Sequence, residues 1–99
     1  MPASNVVVFA PAARADLHNA VSQYEQQREG LGEIFRSAVR HAIETFIAPS
    51  PLRWPVRRGK HRYVMRRFPY TIAYLTDGEK VAIAAVAHQK RDPTSWEDR

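Results

Sequence analysis

Hydrophobic and polar positions alternate along this chain in three different rhythms, and each predicts an element. Val6-Val7-Val8-Phe9 is a short β-branched run, the signature of a first strand. Ala10-Pro11 ends it. Proline is at home in the first turn of a helix, where its missing N–H costs nothing, so Pro11 opens a helix. Ala13, Leu17, Ala20, Val21 and Tyr24 fall on one face of that helix, predicted over residues 11–29. Asp16 is expected near the helix start, where a negative charge is favoured. Gly30 and Gly32 interrupt the pattern. A stronger stripe follows: Leu31, Ile34, Phe35, Ala38, Val39, Ala42, Ile43, Phe46 and Ile47, with Glu33, Arg36, Arg40 and Glu44 off it. This predicts a second helix over 31–48, with Phe35, Val39 and Phe46 buried, and joins the two helices as an αα-hairpin.

Ala48-Pro49-Ser50-Pro51 stops the second helix. Pro55 and Gly59 add further breaks, so residues 48–61 read as a long basic loop, a place where function concentrates. Three strands are then expected, over Tyr63–Phe68, Tyr70–Thr76 and Val81–His88. Asp77-Gly78 forms a tight hairpin between the last two. The last strand is apolar at nearly every position, which predicts a central strand covered on both faces. Asp92-Pro93 ends the sheet, and Trp96 packs the tail back onto it. The order is β-α-α-β-β-β: a helix hairpin on one face of a small, mostly antiparallel sheet, class α+β. Residues 1–99 read as a single domain.

Charge sharpens this picture. The net charge is +5. Residues 48–91 hold ten basic residues against two acids, and the flanking segments are both slightly acidic. From Thr45 to Thr76 there is no acid, while Arg53, Arg57, Arg58, Lys60, Arg62, Arg66 and Arg67 stand within. A one-signed surface attracts polyanions or an acidic protein partner. The chain has no cysteine, which removes disulfides, thiol catalysis and thiolate metal sites and suits the cytoplasm. No run is apolar enough to span a membrane, and Met1–Asn5 lacks the basic start of a signal peptide. His18, His41 and His61 lie in separate elements without ligand spacing, so neither metal nor cofactor is expected.

The sequence resembles the RelE/ParE family of type II toxin–antitoxin toxins, and within it the ParE, plasmid-stabilisation branch. The residues that carry the likeness are Phe9-Ala10-Pro11-Ala12-Ala13 with Asp16-Leu17, then Phe68-Pro69-Tyr70, then His88 with Arg91-Asp92-Pro93 and Trp96. The resemblance implies the same β-α-α-β-β-β order. It also implies growth inhibition by poisoning DNA gyrase without catalysis, and neutralisation by a cognate antitoxin with an acidic segment, in a hetero-oligomer. The residues expected to contact the target are Arg57, Arg58, Lys60, Arg62, Arg66, Arg67, His88, Arg91 and Trp96. The alternative implied by the RelE branch is a ribosome-dependent, metal-independent mRNA endoribonuclease. It would need cations around the phosphorane and an acid or base near neutrality, for which His88, Arg62, Arg67 and Arg91 are the candidates. Two features weigh against it: the acid-free stretch after the second helix, and a C-terminus whose last aromatic, Trp96, carries no hydroxyl.

Overall fold

A computed structural model describes residues 6–99. Strand β1 (Val6–Phe9) leads into helix α1 (Pro11–Gln27) and helix α2 (Leu31–Ala42). Four strands follow: β2 (Val56–Arg57), β3 (Lys60–Val64), β4 (Tyr70–Asp77) and β5 (Lys80–His88). They form one sheet in the order β1-β5-β4-β3-β2. Among the described residues, only the β1–β5 pair is parallel. The α+β class, the helix hairpin and the mostly antiparallel sheet are as the sequence predicts, and one short strand, β2, is added inside the basic loop.

The hairpin turn is built around a carboxylate. Glu25 of α1 accepts hydrogen bonds from the N–H groups of Gly30 and Gly32, both at 3.0 Å. It thereby occupies donors at the start of α2 that the helix itself cannot satisfy. Gly30 adopts φ 87°, the left-handed conformation that glycine enters without strain. Gly32 has a different reason to be glycine. A β-carbon there would lie 2.6 Å from the Val21 carbonyl oxygen, so its absence is what lets the two helices approach.

The core lies between the hairpin and the sheet. Phe35, Val39, Ile47, Ile72, Tyr74, Val81 and Ile83 are fully enclosed. Tyr24, Phe35, Phe68 and Tyr70 form a cluster of rings with centroids 4.8–6.1 Å apart, spacings at which edge and tilted contacts are favourable. Tyr74 is buried with its hydroxyl donating to the Pro51 carbonyl at 2.6 Å. Burial pushes that phenol up to about 12. Strand β5 sits between β1 and β4 with six of its nine residues buried, as its apolar run requires.

Four expectations need correction. Phe46 is 38% exposed rather than core. The helical spacing holds through Ala42, but Ile43–Ile47 is a π-turn, in which the Ala48 N–H reaches back to the Ile43 carbonyl. The wider turn rotates Ile43 and Ile47 inward and Phe46 outward. Second, the strand expected at Tyr63–Phe68 lies at Lys60–Val64, because the Arg58-Gly59 turn starts it earlier. Third, α1 ends at Gln27, short of 29. Fourth, Asp16 lies beyond the first turn of α1, and its partners are far away in sequence.

These placements order the stability costs. Phe35→Ala is expected to cost about 3–5 kcal/mol, the range for an enclosed aromatic, and Phe46→Ala clearly less. Gly32→Ala should cost about 1–3 kcal/mol through overpacking against Val21. Urea denaturation of the three variants checks the order; equal costs at positions 35 and 46 would contradict the π-turn.

Candidate functional site

Strand β1 covers only the first half of the β5 edge, pairing Val6–Phe9 with Lys80–Ile83. Beyond Ile83 the edge is closed by side chains. Asp16 Oδ2 accepts from the Val86 N–H at 3.1 Å, and the Arg99 guanidinium donates to the Ala84 carbonyl at 3.2 Å. Asp16 and Arg99 also pair with each other at 2.6 Å. Arg91 adds a second guanidinium to Asp16 at 3.3 Å and is steadied by Ser95 Oγ at 2.8 Å. The Asp16 side chain is only 8% exposed, while its partners Arg91 and Arg99 remain partly open to water at 35% and 23%.

This clamp gathers the three sequence elements quoted above. Tyr70 and His88 are cross-strand partners, with rings 5.1 Å apart and edge to face. The Gln89 N–H donates to the Pro69 carbonyl at 2.8 Å. Asp16, Asn19, Gln23, Tyr70, His88 and Arg91 line a polar cleft of about 330 Å³ between α1 and the end of β5. His88 Nδ1 accepts from the Lys90 backbone N–H at 3.0 Å, which puts the proton of the neutral ring on Nε2. The tyrosine's ionisation is raised, first by burial and then by Tyr24 and Asp16 nearby, so Tyr70 stays neutral in this cleft at physiological pH.

The remaining expected residues lie in two other places. Arg57, Arg58, Lys60 and Arg62 belong to the β2–β3 hairpin. Arg58 takes φ 52° in the Arg58-Gly59 turn, an uncommon conformation for a side-chain-bearing residue. There the tail supplies the acid that the local sequence lacks. Glu97 pairs with Arg62 at 2.7 Å and with Arg58 at 3.4 Å, and its backbone carbonyl accepts from Lys60 Nζ at 2.6 Å. Trp96 is buried against Ala73, Ala85 and Ala87 on the sheet face away from the helices, with the Arg62 guanidinium 4.7 Å from its ring. Trp54 is structural as well: its indole N–H donates to the Phe46 carbonyl at 2.8 Å and its ring meets Tyr63 edge-on.

Arg66 and Arg67 form the third group. They are exposed on the β3–β4 loop. With Glu33 and His41 they rim a groove of about 580 Å³ between α2 and β3, whose walls include Ile34, Ala38, Phe46, Tyr63 and Met65. His88 and Arg91 thus share one cleft, while Arg62 and Arg67 lie elsewhere. Asp16, Tyr70, Glu97 and Arg99 were not among the expected site residues. The one signal for Glu97 and Asp16 was the overall charge pattern, an acidic tail and an acidic first half against a basic middle.

The ParE toxin family of the parDE type II toxin–antitoxin systems matches residues 7–93. The chain therefore belongs to that family. Among solved structures it is similar to the chromosomal ParDE toxin–antitoxin system of P. aeruginosa, at 17% identity and TM-score 0.63 over 86% of this chain and 96% of that one. It is also similar to the RelBE2 toxin–antitoxin complex of Mycobacterium tuberculosis, at 29% identity and TM-score 0.61 over 87% and 99%. No curated protein sequence matches the chain.

The tail contact carries a pH signature. The hydrogen bond from Arg62, with Arg58 and Arg57 nearby, holds the Glu97 carboxyl below its ordinary value of 4.5. A carboxylate with a depressed folded-state value contributes stability above its unfolded value and loses it as pH falls through the folded one. The indole near-ultraviolet circular dichroism of Trp96 should therefore persist as pH drops through 4.5 and fade only below it. Loss of that signal above 4.5 would contradict the ion pair.

Proposed function

We propose that this ParE-family toxin inhibits growth by acting on DNA gyrase in the cytoplasm as a protein-binding poison, without catalysis of its own. The observation that carries this reading is the dispersal of the groups a ribonuclease would need. Around a phosphorane, several cations and a proton-transfer group must converge within hydrogen-bond reach. Here Arg62 is engaged by Glu97, Arg91 by Asp16 and Ser95, and Arg67 lies with its guanidinium 5.9 Å from the Phe68 ring. Of the four candidates, only His88 and Arg91 line a common cleft. The exposed cations, Arg57, Arg66 and Arg67, suit recognition of a protein surface better than bond cleavage.

The same reading gives the chain a cognate antitoxin. An apolar groove rimmed by Arg66 and Arg67 complements a segment that combines apolar anchors with acids, and such segments bind by helix-in-groove packing. Part of the attraction is electrostatic and weakens with salt. Arg66→Glu with Arg67→Glu should reverse the rim charge and weaken antitoxin binding at least tenfold in calorimetry, while circular dichroism stays unchanged. Affinity that is unaffected by this double change, and flat with salt, would remove the groove from the interface.

The target is tested at one side chain. With purified His88→Ala protein that remains folded, gyrase inhibition on supercoiled plasmid should be retained, weakened at most by the loss of one contact, because no proton moves. If instead the wild type cleaves mRNA on translating ribosomes and His88→Ala loses roughly two to four orders of magnitude of that rate, the chain is a RelE-type endoribonuclease.

A further inference from the structure

The cleft between α1 and the end of β5 gathers polar groups that the fold itself leaves unused. One wall is Asp16, Asn19 and Gln23, spaced three and four residues apart and so on one face of α1. The other wall is Tyr70, His88 and Arg91. Tyr70 faces His88 across the β4–β5 ladder. Arg91 is brought back beside them by a turn in which its N–H donates to the His88 carbonyl at 2.9 Å.

Tyr70 is only 7% exposed, yet its hydroxyl has no hydrogen-bond partner among the described residues. A buried tyrosine ordinarily sets that group on an acceptor, as Tyr74 does on the Pro51 carbonyl. Beside it, His88 uses Nδ1 to accept from the Lys90 N–H, which leaves its Nε2–H free to donate. Arg91 gives Nε to Ser95 and Nη1 to Asp16, which leaves Nη2. The Asn19 and Gln23 carboxamides each add a donor and an acceptor. Asp16 is not available to a ligand, because both its oxygens already accept from Val86, Arg91 and Arg99. Two guanidiniums against that one carboxylate leave the cleft with a net positive charge.

We propose that this cleft binds a small hydroxycarboxylate, its carboxylate on Arg91, His88 and the Tyr70 hydroxyl, and its hydroxyl on Asn19 and Gln23. The convergent donors and the positive charge call for an oxyanion. A single excess charge suits a carboxylate better than a doubly ionised phosphate. The volume of about 330 Å³ lies at the small end of ligand sites. The carboxamides, which both donate and accept, suit a neighbouring hydroxyl. This assignment goes beyond the target reading above and does not depend on it, because it is read out on the isolated toxin. A bound ligand would bridge α1 to the end of β5 and stabilise the folded chain by mass action.

The probes are glycerate, its neutral amide glyceramide, and inorganic phosphate, each titrated into isotope-labelled wild-type protein and followed by NMR. Glycerate should shift the His88 ring and the Asn19 and Gln23 carboxamide resonances along one saturable curve. Glyceramide should not, and phosphate should bind more weakly than glycerate. Tyr70→Phe keeps the ring in the core and removes only the hydroxyl, so it should weaken glycerate binding about tenfold. Tyr24→Phe makes the same change in the same ring cluster but outside the cleft, and should leave the affinity within about twofold of the wild type. Equal weakening by the two tyrosine changes would overturn the proposal. Equal binding of glyceramide would do so too, and tighter binding of phosphate would overturn the carboxylate assignment. The wild-type titration decides even if Tyr70→Phe fails to fold: a His88 ring and carboxamides unmoved by glycerate would mean a cleft filled by water only.

Discussion

Half of a sheet edge in this protein is closed by an ion pair instead of a strand, and much else follows from that. Strand β1 is four residues long and runs out at Ile83 of its partner. An uncovered edge presents unpaired backbone groups, a liability for any sheet. Asp16 and Arg99 take the Val86 N–H and the Ala84 carbonyl, so a side-chain pair from two distant segments continues the ladder. The same pair fixes α1 against β5 and brings the last residues of the chain back across the molecule.

The functional geography is a consequence. Once Arg99 and Arg91 are held on Asp16, the intervening tail has little choice of path. Trp96 lands on the alanine face and Glu97 lands between Arg58 and Arg62. Charges that look unopposed along the sequence are therefore of two kinds. Arg58, Lys60 and Arg62 of the β2–β3 hairpin are matched by the tail. Those of the β3–β4 loop stand exposed beside an apolar groove. The first group is already engaged within the molecule, and the second is open to a partner.

Periodicity made the hairpin and the last two strands legible from sequence, since each depends on neighbours within a few residues. The parts that were not legible depend on distance or on one extra residue. A π-turn after Ala42 looks in sequence like continued helix, so Phe46 was expected inside. Pro55 and Gly59 disguise the start of β3, so Lys60 and His61 read as loop. Asp16 lies 70 residues from the Val86 amide that it receives, a separation no local pattern encodes. Of the nine expected contact residues, the sequence grouped by charge what the fold separates into three places. It found His88 and Arg91 together because both sit at the end of one strand.

Amide hydrogen exchange at Val86 tests the edge closure most directly. If Asp16 completes the ladder, the Val86 N–H exchanges as slowly as its neighbours in the centre of β5. In Asp16→Ala it should exchange at least tenfold faster, while Ile83, still facing β1, keeps its protection. A Val86 amide that exchanges equally fast in both proteins would contradict the account and return the tail to an incidental role.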